Sequence, residues 1–189
     1  GTELMQGRMI FLLEEPSMKT LLEGLLPRLF PGMVAGEHFL CIKHEGKSDL
    51  DASIPRKLQA WRIPNDRFVI LRDNDNAAFV VLKARFVRLC QQSGRPDTLI
   101  RLVCQELESW YIGDLSALAE ADGDSKLSSP ALQKRFVDPD AWQKPSAELA
   151  RLIPGFQKGS AARAMAESLV ADRNTSTSFR FFVNGVRCL

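Results

Sequence analysis

Four short segments of the chain are rich in bulky apolar residues: Met9–Leu13, His38–Ile42, Phe68–Leu71 and Thr98–Val103. Brief apolar runs with polar flanks are the pattern of strands buried on both faces, as in a parallel sheet. Between them the apolar spacing becomes helical. Met18, Leu21, Leu22, Leu25, Leu26 and Leu29 predict a helix with Ser17 as its N-cap, bent or ended by Pro27 and closed by Pro31-Gly32. Leu50, Ile54, Leu58 and Trp61 predict a second, capped by Ser48 or Asp49, with Pro55 blurring its start. A third covers Ala77–Gln92, its broad apolar face made by Phe79, Leu82, Phe86, Leu89 and Cys90, and Gly94 and Pro96 end it. Glu106 and Glu108 open a short helix that Gly113 stops, and Asp114 caps another over Leu115–Ala121.

This alternation of strands and helices predicts an α/β fold with a four-stranded, mainly parallel sheet, right-handed crossovers and helices on its faces. Residues 1–121 form that core. A polar linker at Gly123–Pro130 leads into an extension over residues 122–189, with helices at Ala131–Val137, Ala147–Ile153, Ala161–Val170 and Phe179–Leu189. Asp138-Pro139 and Ser160 are the expected helix starts. These helices are short, so they are expected to pack on the sheet as part of the same globular unit.

In open parallel sheets, ligands bind at the carboxyl ends of the strands. Glu14, His44, Asp73, Asp75 and Glu106 all fall just past predicted strand ends, so one edge collects four carboxylates and an imidazole. The sharpest piece is Asp73-Asn74-Asp75-Asn76. If the backbone stays extended, Asp73 and Asp75 point the same way, roughly 7 Å apart at Cα. Two carboxylates aimed at one place call for a cation, and oxygen donors suit a hard divalent one. The other reading of the same stretch is turn chemistry capping the next helix. No apolar residue directly flanks the aspartates to raise a pKa, which favours metal ligation over acid/base work.

Composition narrows the field without deciding it. The chain has 189 residues, 45% hydrophobic and 25% charged, and its net charge of +2 implies no avid, non-specific grip on nucleic acid. No apolar run is long enough to span a membrane, and the polar start of the chain has no signal-peptide pattern. Cys41, Cys90, Cys104 and Cys188 show neither zinc-ligand nor disulfide-framework spacing, so reduced cysteines in a cytoplasmic protein are expected.

The loops resemble a known superfamily. Glu14-Glu15-Pro16-Ser17 is similar to the Glu-Gly-x-Ser/Thr turn of Toprim domains, and Asp73-Asn74-Asp75 to their Asp-x-Asp signature. Together with His44-Glu45-Gly46-Lys47, the Glu106–Trp110 stretch and Asp138-Pro139-Asp140, these loops look like a small bacterial Toprim-like domain-of-unknown-function family. The better-studied Toprim match covers about residues 9–110. The resemblance implies a three-layer Toprim-like fold and Mg²⁺ or Mn²⁺ held by Glu14, Asp73 and Asp75. Glu15 stands where Toprim domains have glycine; it is either an added ligand or the true Toprim glutamate. Topoisomerases, primases and OLD-type nucleases share this domain, so phosphodiester chemistry on DNA or RNA is implied. Anti-phage defence beside an ATPase partner is a recurring setting for such proteins.

On this reading His44 and Lys47 supply a general acid/base and a phosphate-binding cation, and Glu106, the acid nearer its strand, joins the site. Lys158 and Arg173 lie in polar loops that can meet phosphate but read more simply as solvated. Trp61, Trp110, Tyr111 and Trp142 read as core or interface before they read as base-stacking platforms. Two other functions compete: a non-catalytic Toprim-like module that docks on an ATPase or other protein, and a small-molecule phosphatase using Asp73 as nucleophile.

Overall fold

The structure, a computed structural model, describes residues 7–189. The polar stretch at residues 1–6, part of the segment read above for a signal pattern, lies outside the described residues. Strand β1 (Met9–Leu13) leads to helix α1 (Pro16–Leu29), β2 (Phe39–Lys43) to α2 (Lys47–Ala60), and β3 (Arg67–Asp73) to α3 (Phe79–Gln92). Strand β4 (Leu99–Val103) is followed by helices alone: α4 (Glu108–Ile112), α5 (Leu115–Asp122), α6 (Pro130–Arg135), α7 (Pro145–Leu152), α8 (Lys158–Ser168) and α9 (Thr177–Arg187). The four strands are all parallel, in the order β2-β1-β3-β4.

Strand alternation divides the core into two. Phe11, Leu13, Val69, Leu71 and Val103 face α1, α4, α5, α8 and α9. Ile10, Leu12, Phe68, Ile70, Ile100 and Leu102 face α2 and α3. The result is three layers, and it explains the continuous apolar runs: neither face of β1 or β3 meets water. The C-terminal helices share the first of these cores, where Trp110 packs against Phe179 and Phe182 at centroid distances of 5.0 and 5.2 Å. Of the C-terminal helices, α9 lies against the sheet, over β4, while α8 covers α1.

Several helix ends differ from expectation. Ser17 is not the N-cap of α1, because Pro16 takes the first helical position and leaves Glu15 as the cap. Pro27 and Pro55 sit inside α1 and α2 and end neither. The Gly46 carbonyl opens α2, two residues before Ser48 and three before Asp49, and Asp49 instead accepts the Glu45 amide at 2.8 Å. Helix α8 starts at Lys158, not Ser160, and the 123–130 linker contains a 3-10 turn at Ser125–Ser128. Asp114 does cap α5, accepting from the Ala117 amide.

Buried polar groups fasten the extension. Asp114 also accepts from the Val170 amide and the Arg173 guanidinium. Asp140 accepts from the Ser176 hydroxyl and the Ser178 amide, and Asn174 donates to the Trp110 carbonyl. Residues 173–174, expected in a solvated loop, are thus committed to the fold.

Helices α1 and α8 meet where neither side has room. A Cβ added at Gly24 would sit 2.8 Å from the Cβ of Ala166, while Arg28 donates to the Ala166 carbonyl at 2.7 Å. Gly24→Val should therefore destabilise the protein by about 1–3 kcal/mol, read as a lower denaturant midpoint at unchanged slope. Gly32, which has open space around it, offers a comparison: substitution there is strained by its backbone, not by α8.

Candidate metal centre

The register of the sheet places its acids. Leu13, the last residue of β1, lies beside Leu71, so Asp73 projects two residues beyond that pair. Glu14 turns across the gap and accepts the Asp73 amide at 2.9 Å through Oε2. Both are buried, with 6% exposure each, and the Oδ1 of Asp73 has no hydrogen-bond partner. Burial pushes the Glu14 carboxyl up to about 7, against the opposing pull of the Asp73 amide. Burial, then the Glu14, Glu15, Glu108 and Asp75 charges, raises Asp73 well above the usual carboxylate range. The expectation of an unperturbed aspartate fails here. Flanking residues do not bury Asp73; the layered core beneath it does.

Beyond Asp73 the backbone leaves the strand. Asp75 and Asn76 take left-handed conformations, φ 48° and 62°, so Asp73 and Asp75 do not share a pleat. The turn is tied to the chain after β4. The amide of Asp75 donates to the Gln105 carbonyl, and the Gln105 side-chain oxygen accepts from both Asn74 Nδ2 and the Asn76 amide. Turn chemistry therefore describes residues 74–76, while Asp73 belongs to the sheet. The Asp75 carboxylate pairs with the Lys47 ammonium, whose pKa is raised chiefly by that hydrogen bond.

Helix α4 adds an acid. Glu108 is 2% exposed, its Oε2 has no partner, and burial pushes its pKa up to about 7 despite the nearby Lys158. Glu106 lies close enough for its charge to act on Glu108 and Lys158, and it accepts from the Ser146 hydroxyl and amide at 2.8 and 3.1 Å at the start of α7. The structure thus adds Glu108 to the buried carboxylates, with Glu106 beside it and bonded to Ser146. Sequence carried a weak signal for this: Glu108 precedes Trp110 and Tyr111 in a wholly buried helix. The hydroxyl of Tyr111 is buried without a partner, and burial and the Glu108, Glu15 and Asp73 charges raise its pKa well above its ordinary value.

Two further groups complete the edge. His44 is buried with Nδ1 2.8 Å from the Leu13 carbonyl; a proton there leaves Nε2, which has no partner, as a free lone pair. Lys158, the first residue of α8, stands 3.7 Å from Glu15, whose other oxygen accepts from Ser17. Burial lowers the Lys158 pKa, but the Glu108, Glu15, Glu106 and Asp73 charges outweigh it and hold the pKa above its usual range.

Glu14, Glu15, Asp73, Asp75, Glu108, Lys47, Lys158 and His44 therefore gather at one end of the sheet. All-oxygen donors with unpartnered buried atoms fit a hard divalent cation such as Mg²⁺ or Mn²⁺ in donor chemistry. Among the described residues, no three His, Cys, Asp or Glu side chains already form a cage for it. Asp75 is turned to Lys47, and Glu14 spends one oxygen on a backbone amide.

No curated protein matches the chain. Among solved structures, the C-terminal region of the Burkholderia pseudomallei OLD protein superposes with a TM-score of 0.58 at 19% identity, covering 96% of this chain and 98% of that one. The likeness shows a shared fold. A family profile described as "Domain of unknown function (DUF4276)" matches residues 13–187, and the chain belongs to that family.

Proposed function

We propose that this chain is a Toprim-like, metal-dependent enzyme acting on phosphodiester bonds in nucleic acid. The observation that carries the reading is the set of buried carboxylates, Glu14, Asp73 and Glu108, converging at the strand ends with oxygens on Asp73 and Glu108 left unpartnered. Leaving such groups inside a protein is costly unless a cation or proton joins them. The fold shared with the OLD C-terminal region, and the membership of OLD-type nucleases in the superfamily that the loops resemble, support nucleic acid as substrate.

Glu14, Asp73 and Asp75 would hold Mg²⁺ or Mn²⁺, with Glu15 and Glu108 within the same cluster. When bound, the metal supplies charge neutralisation at the phosphoryl oxygens and an acidified water. The chain's own groups do the rest. His44 Nε2 can take a proton, because the Leu13 carbonyl holds the ring by its other nitrogen. Lys47 and Lys158 are cations already neutralised by Asp75 and Glu15, and each becomes a phosphate contact once its acid turns to the metal.

Calorimetric titration with Mn²⁺ should show binding to the wild type. Asp73→Ala/Asp75→Ala should weaken it by more than about a hundredfold and abolish cleavage of mixed DNA and RNA substrates. Cleavage that survives in the double variant, or in excess chelator, rules the reading out.

A second reading is kept alive by Lys47 occupying Asp75 and by the absence of a ready-made cage among the described residues. It is a non-catalytic module, docking on an ATPase or another protein. Mn²⁺ binding with no cleavage of any nucleic acid, alone or with a partner ATPase, favours it.

The raised carboxyls also predict a pH profile of stability. In the unfolded chain Glu14 and Glu108 ionise near 4.5, and in the fold near 7. The fold thus binds more protons across that window, so metal-free stability falls as pH rises from 4.5 to 7. At neutral pH Glu108→Gln should raise the stability of the metal-free protein by about 1–2 kcal/mol, and saturating Mn²⁺ should stabilise the wild type more than the variant. A melting temperature that climbs through the same window in chelator contradicts this account.

A further inference from the structure

The edge of β4 is open. It is the last strand of the sheet, and among the described residues no strand pairs with its outer side. The Val103 carbonyl accepts the Asn74 amide and so faces β3; alternation then turns the backbone groups of Ile100 and Leu102 outward. They form the floor of a cleft of about 480 Å³, walled on one side by Phe79 and Lys83 of α3 and on the other by Phe181 of α9.

The cleft is apolar and positively charged. Phe79 and Phe181 are 41% and 59% exposed, and the apolar surface continues along α3 through Val80 and Val87. Contiguous exposed apolar area on this scale marks interaction surfaces. Lys83 and Arg101, both lining the cleft, have no carboxylate partner among the ion pairs of the described residues. The Arg101 guanidinium donates only to the carbonyls of Phe181 and Ile100. Burial lowers the pKa of both cations, and the nearby Arg101 charge lowers that of Lys83 further. The one acid at the mouth, Asp140, is already engaged with Ser176 and Ser178.

We propose that this cleft binds an extended segment of a partner protein, bulky and apolar with at least one carboxylate, which adds to the free edge of β4. Backbone hydrogen bonds would run to Leu102 and to the Ile100 amide, since the Arg101 guanidinium already holds the Ile100 carbonyl; the apolar side chains would cover Phe79 and Phe181, and the carboxylate would meet Lys83 and Arg101. Exposed aliphatic side chains at Val80 and Val87 favour a protein over a nucleic-acid strand, whose bases need flat partners. The site is separate from the carboxylate cluster, so the inference stands whether or not the chain cleaves phosphodiesters.

A short fluorescent peptide of alternating valine and glutamate is the probe, with its valine-lysine counterpart as control, both read by anisotropy on the full chain. The glutamate peptide should bind and the lysine peptide should not. Lys83→Glu should weaken the glutamate peptide by about tenfold or more and admit the lysine one. Methylating alternate peptide nitrogens should weaken binding by a similar factor, because it removes the ladder donors. Phe181→Ser, at an exposed position, keeps the test independent of folding, with circular dichroism as the check; it should also weaken binding. Equal binding of both peptides, indifference to N-methylation, displacement by a single-stranded oligonucleotide, or a self-associated state that Phe181→Ser dissolves would each overturn the proposal.

Discussion

Parallel pairing is the constraint on which the rest of this molecule depends. Because β1, β2, β3 and β4 all run one way, every loop that follows a strand begins on the same edge. Acids placed there cannot avoid one another. Glu14 and Asp73 come from neighbouring strands, and a single hydrogen bond from the Asp73 amide to the Glu14 carboxylate knits the two strand ends together. That contact satisfies one oxygen of Glu14 and leaves the Asp73 carboxylate itself unrelieved. The layers above and below exclude water from it, so the same packing that stabilises the sheet makes its acidic edge costly.

Buried Asp114 and half-buried Asp140 show what relief looks like. Asp114 holds the Ala117 and Val170 amides and the Arg173 guanidinium, and Asp140 holds Ser176 and Ser178. Each fastens a segment of the C-terminal extension and has no orphaned oxygen. Asp73 and Glu108 are about as deeply buried as Asp114 and do have one. Two kinds of buried carboxylate therefore coexist, one supporting the fold and one drawing on its stability, and the second kind is confined to the strand ends.

Much of this was legible along the chain, and the failures have physical causes. The strands were visible because a strand covered on both faces needs an unbroken apolar run, as in Met9–Leu13 and Phe68–Leu71. Acids past the strand ends followed from counting. Glu106 stands nearer in sequence to β4 than Glu108 does, so sequence alone does not single out Glu108, and nothing local announces the contact that Glu106 makes with Ser146, forty residues further on. Asp73 and Asp75 could not be separated by pleat alone, since the left-handed turn depends on Gln105 from another loop. Asn-Asp-Asn did hint at it, as these residues tolerate such conformations. Pro16 displaced Ser17 as the expected cap because proline suits the first helical position better than it suits any later one.

Gln105 itself has a consequence for which substitutions this edge can accept. Its side-chain oxygen accepts two hydrogen bonds, from Asn74 and Asn76, and a glutamate of the same shape could accept both. Glutamate would also bring another negative charge to a loop that is already crowded with Asp73, Asp75 and Glu108. Neutrality, and not geometry, is what distinguishes the amide at this position. The turn is thus closed by an acceptor that adds nothing to the repulsion it holds in place.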